Sequence, residues 1–402
     1  MGTGVSEHMR FGIFMPPHHR VGQSPSLLLE QDLQMIELLD KLGFDEAWIG
    51  EHHSGGWEIV PSPELMIAAA AQRTRHIRLG TGVTALAFQH PFMLIEKMVM
   101  LDHLTKGRMM FGFGPGGNPL DARMLGQDPN DQRRMMEESL EAMLALLDGS
   151  EPVTRKADWF TLDHAELQLL PYTKPRFEIG VSSFVSPAGA RLAGKYGLSL
   201  LSIGATTPKG YEFLATAWEI AAEQAERHGN TMDKAAWRLT FPMHLAETEE
   251  EARRQTRFGF NEWMNEYGSQ LGLAVMLKDV FDETDIDRRI DRLNESGFGV
   301  IGTPEMAVAQ IRRLQGAAPG FGVLLLTNFG WSQNQRCDAE SVEVFARYVI
   351  PAFTGQLATQ AHAHQRLKNE SLDVQRRMAE SRALAKAAVE ADRVKTPAAT
   401  DR

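Results

Sequence analysis

The feature that most constrains this chain is a recurrence. Short apolar runs rich in β-branched and aromatic residues return along the sequence, most of them followed by a longer segment with helical periodicity. Eight such runs can be counted: Arg10–Met15, Glu46–Gly50, Ile77–Val83, Arg108–Phe113, Phe177–Val181, Leu198–Ile203, Arg238–Leu245 and Gly322–Thr327. Strands alternating with helices build a parallel sheet, and several of these runs are apolar throughout, as required when both faces of a sheet are covered. Eight units predict closure into a (β/α)8 barrel, an α/β fold whose chemistry sits where strands run into helices.

The helices are legible from their ends. Ser26–Leu42 places Leu28, Leu29, Leu33, Ile36 and Leu39 at helical spacing and stops at Gly43. Pro63–Arg75 follows Ser62, a candidate N-cap, with proline at the first helical position, and Gly302-Thr303-Pro304-Glu305 repeats that logic before Met306–Leu314. Two stretches break the alternation. Gly114–Gln132 is a Gly-, Pro- and Asp-rich connection, and Phe258–Glu295 is a long charged insertion near the seventh and eighth strands, carrying Trp263, Tyr267 and Phe281. Long connections inside a compact domain are functional loops or disordered segments, and the second is expected to act as a lid. The barrel is expected over residues 9–355, after a flexible leader at 1–8 and before an Ala-, Arg- and Glu-rich extension at 356–402 that is helical or disordered.

Composition removes several function classes. A net charge of −10 lacks the basic footprint of nonspecific nucleic-acid binding. Apolar runs such as Met66–Ala71 are far too short to span a membrane, and no secretory signal pattern opens the chain, so the cytoplasm is the expected location. The single cysteine, Cys337, excludes an intrachain disulfide framework and a cysteine-built metal site, and its polar setting carries no sign of an activated thiol.

Three motifs stand at strand ends. In Glu51-His52-His53 adjacent strand positions face opposite ways, so two imidazoles could share a metal only if the strand had ended, and no metal is expected there. A structural pair, or one histidine acting as proton donor or hydrogen-bond partner, both remain open. Gly112, Gly114 and Gly117 match G-x-G-x-x-G, but the match falls after three βα units, is interrupted by Pro115 and is followed by no acidic strand end. Glycine enrichment for close backbone approach is the better reading. Ser186-Pro187-Ala188-Gly189 ends the fifth strand and opens a helix, either with an ordinary cap or with an N-terminus able to hold a phosphate.

Four stretches in order, Gly43–Trp48 running into Glu51-His52-His53, Leu79–Val83 with His90-Pro91, Leu101–Arg108, and Gly302–Glu305, resemble the bacterial-luciferase-like flavin monooxygenases. The resemblance covers Met9–Pro351 and is greatest to the limonene-monooxygenase and diketocamphane-monooxygenase branch. It implies FMN across the C-terminal mouth of a TIM barrel, with reduced FMN and O2 forming a C4a-peroxide that oxygenates a small, largely apolar substrate. It implies His52 as the catalytic histidine, Gly82 and Val83 as a non-prolyl cis pair supporting the flavin ring, Gly114 and Pro115 among the cofactor contacts, and Ser186, Ala188 and Gly189 as the phosphate cradle. Where luciferase carries an arginine after the fourth strand this chain has Pro115, which leaves more of the phosphate binding to the helix N-terminus. Phe14, Met15, Phe88 and Phe184 are the substrate-pocket candidates. No nicotinamide-binding unit is legible, so reduced flavin would come from a separate NAD(P)H:flavin reductase, and a homodimer is the expected assembly. The rival readings are a deazaflavin-dependent hydride transferase of the same fold, a noncatalytic flavin-binding protein and a metal-dependent barrel hydrolase.

Overall fold

In the computed structural model, which describes residues 9–16, 18–269, 272–327 and 329–395, eight parallel strands close into a ring. They are β1 (Arg10–Met15), β2 (Glu46–Ile49), β3 (Arg78–Thr81), β4 (Met109–Gly114), β5 (Glu178–Ser183), β6 (Ser199–Ser202), β7 (Arg238–Leu245) and β8 (Val323–Thr327). Each pairs with its successor, and β8 pairs back onto β1 with Phe14 opposite Thr327. All eight correspond to the runs read from the sequence. The third is shorter than expected because the chain leaves the strand at Thr81 and re-forms a two-residue strand, Thr84–Ala85, beside β4.

Eight helices surround the ring: α1 (Pro25–Leu42), α2 (Pro63–Arg73), α3 (Pro91–Thr105), α4 (Gln132–Asp148), α5 (Pro187–Tyr196), α6 (Pro208–Arg227), α7 (Pro304–Ala317) and α8 (Gln335–Val344). Six of them begin on proline. Its fixed φ suits the first helical turn, and its missing N–H would be unpaired there in any residue. At the other end of α1, Gly43 ends the helix in the left-handed conformation, with φ +80°.

The apolar core lies in two layers. A large cluster fills the space between strands and helices, and a small one of Phe14, Trp48, Met110, Leu201, Val323 and Leu325 fills the barrel itself. Alternation along β1 explains why Phe14 faces the lumen while Phe11, Ile13 and Met15 face the helices. The Trp48 indole sets the shape of the interior. A Cβ on Gly80 would lie 2.7 Å from its ring, and one on Gly112 would lie 2.8 Å from it, so the strands facing this tryptophan have room only for glycine.

Beneath Trp48 the base of the barrel is ionic. Arg238, fully buried, donates through Nε and Nη2 to the Glu46 carboxylate at 2.6 and 2.8 Å and through Nη1 to Glu178 at 2.7 Å. Arg10 and Arg78 reach Glu46 at 3.0 and 3.4 Å, Arg78 also reaches Glu178 at 2.8 Å, and the Trp48 indole donates to Glu46 at 2.9 Å. Burial alone would raise both carboxyls, but Arg238 outweighs it: Glu46 is lowered, and Glu178, helped by Arg78, is held down at about 2.

Two connections differ from expectation. The insertion begins earlier than Phe258, with a helix over Glu249–Glu262, continues through a π-helix at Trp263–Gly268 and a helix at Ile286–Ser296, and returns through Val300–Gly302 paired with β7. Its own buried cluster, including Phe260, Trp263, Ile290, Leu293 and Phe298, makes it a folded helical subdomain and not a bare loop. The connection Gly114–Gln132 contains a short helix, Pro119–Met124, whose cap Asn118 accepts from the Leu120 N–H at 3.0 Å. Contacts divide the chain into two units at residues 353 and 354, and within the second the described residues form helices Gln356–Asn369 and Ser371–Lys395. The leader assigned to residues 1–8 lies outside the described residues. No helix among the described residues is long and apolar enough to cross a membrane.

The ionic base generates a prediction with a pH signature. Glu46→Gln leaves a buried guanidinium short of its main counter-charge, so denaturant unfolding should show a loss of about 3 to 5 kcal/mol. Because the Glu178 carboxyl is held below its ordinary 4.5, its contribution is complete above that pH and disappears as pH falls toward about 2. Glu178→Gln should therefore flatten that part of the acid-unfolding curve.

Candidate active site

A cavity of about 470 Å3 opens at the C-terminal ends of the strands, above Trp48. Every barrel strand sends residues to its wall: Phe14 from β1, His52 after β2, Gly82 and Val83 after β3, Pro115 after β4, Ser182 and Ser186 at the end of β5, Ile203 after β6, Thr240 in β7 and Thr327 in β8. The insertion closes one side with Tyr267, Leu273 and Phe298. Its volume lies within the ordinary range for small-molecule sites.

One wall is polar and centres on His52. Strand β2 ends at Ile49, so Glu51 and His52 are no longer bound by strand alternation, and both reach the cavity. His52 Nδ1 lies 3.0 Å from Asp121 Oδ2, and Nε2 lies 3.4 Å from Glu58 Oε1. Asp121 is also the acceptor for the Ser54 hydroxyl, and Glu58 for the Tyr267 phenol. His53 turns instead to Glu51 at 3.2 Å and lies edge-on to Phe88. Burial pushes the Glu51 carboxyl up against the opposing pull of His53. Burial likewise pushes Glu58 up, against His52 and Tyr267. An imidazole held between two carboxyl groups, one on each nitrogen, can take up or deliver a proton without rotating.

The opposite wall is the entry to α5. Ser186 occupies the N-cap position with extended φ and ψ, but its side chain makes no cap hydrogen bond, so of the two roles left open by the sequence the ordinary side-chain cap is not formed. It lines the cavity together with Ala188 and Gly189. Gly189 is required by packing as well, since a Cβ there would stand 2.2 Å from the Ser182 carbonyl oxygen. Arg133, in the first turn of α4, also lines the cavity and has no carboxylate within ion-pair distance among the described residues.

The peptide joining Gly82 and Val83 is cis, and both residues line the cavity. Gly114 does not line it. It backs the wall, where a Cβ would meet Ser182 Oγ at 2.7 Å and Val83 at 2.9 Å, while Pro115 beside it is in the lining. Phe14, Phe88 and Phe184 line the cavity as expected. Met15 does not, contrary to the expectation from the sequence, because the strand turns it toward the helices. Phe88 lies over Gly116 and Phe184 over Gly204, positions where a Cβ would clash with the ring at 2.6 and 2.2 Å. Cys337 is buried in α8, away from the cavity.

Sequence reasoning missed Glu58, Asp121 and Arg133. Asp121 and the approach to Arg133 fall in or beside the connection Gly114–Gln132, already marked by its length. For Glu58 no local signal exists, since its partners come from residue 52 and residue 267.

The family model for luciferase-like monooxygenases matches residues 9–319. This chain belongs to that family. It is 47% identical to limonene 1,2-monooxygenase of Rhodococcus erythropolis over 363 residues, covering 90% of this chain and 91% of that one. It is 42% identical to 4-hydroxyprotoasukamycin monooxygenase of Streptomyces nodosus subsp. asukaensis, covering 87% and 94%. Among solved structures it resembles the oxygenating constituent of 3,6-diketocamphane monooxygenase from Pseudomonas putida, a type II Baeyer-Villiger monooxygenase in complex with FMN, with a TM-score of 0.71, 26% identity and coverage of 86% and 98%.

The geometry of the two caps can be tested directly. Thr207 caps α6 by accepting from the Gly210 N–H at 3.0 Å, so Thr207→Ala should cost about 1 kcal/mol, whereas Ser186→Ala, losing no cap bond, should cost under about 0.5 kcal/mol. Urea unfolding of both variants decides; equal losses would restore Ser186 to an ordinary cap.

Proposed function

We propose that this chain is the oxygenase of a two-component flavin monooxygenase, taking reduced FMN from a separate NAD(P)H:flavin reductase and using O2 to oxygenate a small, largely apolar substrate. The observation that carries this is the cavity at the strand ends, with a histidine between two carboxyl groups on one wall, a helix N-terminus whose serine makes no cap bond on the other, and apolar side chains between. The FMN bound by the diketocamphane relative supports the cofactor, and limonene, a compact hydrocarbon, supports the substrate class.

The residues present fit FMN. Ser186, the backbone N–H groups of Ala188 and Gly189, and Arg133 would hold the phosphate, so a guanidinium supplied from α4 offsets the proline at position 115. Gly82 and Val83 would underlie the ring system. Reduced FMN supplies the electrons that activate O2 for transfer of one oxygen atom. The chain's own part is to orient the substrate against Phe14, Ile203, Phe298 and Phe329, to exclude water through the insertion, and to hold a proton at His52. The cytoplasm remains the expected location.

We propose a homodimer, supported by an exposed apolar surface. Met93, Met100 and Leu104 form a stripe along α3 and remain 57%, 56% and 40% exposed, beside Leu65 of α2 at 70%. Sedimentation should give a dimer that Met100→Glu weakens; a monomeric parent would rule the assembly out.

The function is tested by loading the protein with reduced flavin and measuring H2O2 released per flavin oxidised in the presence of a working substrate. Ser186→Ala should weaken FMN binding about 10- to 100-fold, the equivalent of a hydrogen bond to a charged group. His52→Ala should keep FMN affinity within a few-fold yet divert most oxygen to H2O2, since acid-base partners are worth about 10²- to 10⁴-fold. Unchanged coupling in the His52 variant would remove it from the reaction, and oxygenation driven by NADH alone would remove the reductase.

A further inference from the structure

His52 is held from two different parts of the molecule. On its Nδ1 side Asp121 belongs to the barrel, on the short helix after β4, with Ser54 and Asn118 beside it. On its Nε2 side stands Glu58, and Glu58 is itself held by the insertion, because the only hydroxyl donating to it among the described residues is the Tyr267 phenol. Tyr267 is 5% exposed, and its ring is lodged against His18 at 4.3 Å between centroids, Trp57 at 6.3 Å and Trp263 at 6.2 Å. It lies in the π-helix Trp263–Gly268, a wider turn of the kind frequent at functional sites.

The insertion is seated firmly around this point. Gly259 presses so closely on the connection after β8 that a Cβ would come within 2.4 Å of the Ser332 and Trp331 carbonyl oxygens, and Arg20 binds Glu262 at 2.8 Å. Tyr267 thus reaches Glu58 only from a seated insertion.

We propose that Tyr267 and Glu58 are positioning residues for His52, through which the seating of the insertion sets the hydrogen bonding of the histidine. The proposal rests on the role assigned to His52 above. The groups facing the Glu58 carboxyl are His52 and Tyr267, which favour its charged form, and Asp121, which with burial opposes it. Removing the phenol takes away one of the two favourable partners. Glu58 then gains a proton more readily, and a protonated carboxyl donates to Nε2 where a carboxylate could only accept, so the state of His52 changes.

The test uses cofactor-free protein with 15N-labelled imidazoles, the His52 signals being assigned by their loss in His52→Ala. Tyr267→Phe keeps the ring and its packing while deleting the donor, and Glu58→Gln keeps the shape while deleting the titration. Both should move the His52 Nε2 resonance, and trypsin should cut the insertion of Tyr267→Phe several-fold faster. In the flavin-loaded enzyme both should raise H2O2 release, with the double variant no worse than either single one, as expected of residues acting through one contact. An unmoved His52 resonance in Tyr267→Phe overturns the proposal, as does strict additivity. If the resonance moves but neither this variant nor His52→Ala changes coupling, the positioning stands and the assigned role of His52 falls.

Discussion

The structure depends on one buried ion pair. Arg238 on β7 and Glu46 on β2 are 192 residues apart in the chain and completely buried, and neither could remain charged there alone. Removing two ions from water costs several kcal/mol each, repaid only when the hydrogen bonds are complete. Here Glu178, Arg10, Arg78 and the Trp48 indole complete them, so β1, β2, β3, β5 and β7 are tied together at one level. Two residues along β2 from Glu46, and therefore on the same face, Trp48 fills the lumen with its ring over the Arg238 guanidinium, 4.9 Å away. The facing glycines make room for it. With the base closed by charge and the middle by an indole, the barrel interior leaves space for a ligand above Trp48, at the carboxyl ends of the strands.

That space divides by origin. The polar wall and the floor come from strand ends and the turns that follow them, positions that a closed sheet holds rigidly. The insertion contributes apolar lining through Leu273 and Phe298, and brings Tyr267 to Glu58 on the polar wall. The insertion has its own core, joined to the barrel through Trp331, which meets Trp263 and Phe260 edge-on. The same arrangement places a buried carboxyl, Glu58, at the boundary between the two parts, where it is shared by a histidine from one and a phenol from the other.

Much of this was legible in the sequence, for reasons that are local. A strand covered on both faces must be apolar along its whole length, and a helix must show a 3.6-residue stripe, so the order of the eight units could be counted from periodicity. Prolines at helix starts and Gly43 at a helix end mark boundaries because each constrains its own φ. The motif order around His52, Gly82-Val83 and Ser186 survives because each is a turn at a strand end, and the barrel brings all such turns to one rim. Met15 was misplaced for a reason that is not local: position along a strand is visible in the sequence, but which of two faces meets the lumen depends on the register with β2 and β8.

The sequence by itself therefore determined the number and order of the βα units, the end of the barrel that would carry the site, and the residue types at its turns, because backbone preference and apolar period act over a few neighbouring residues. Only the tertiary structure decided which side chains meet. His52 finds Asp121 69 positions away, and Glu58 finds Tyr267 209 positions away. The insertion, which reads as a charged connection, gained a core only by folding onto the barrel. These pairings rest on closure of the ring and on burial, which give a carboxyl or an imidazole its partner from whatever segment the fold brings near, and no local pattern records that choice.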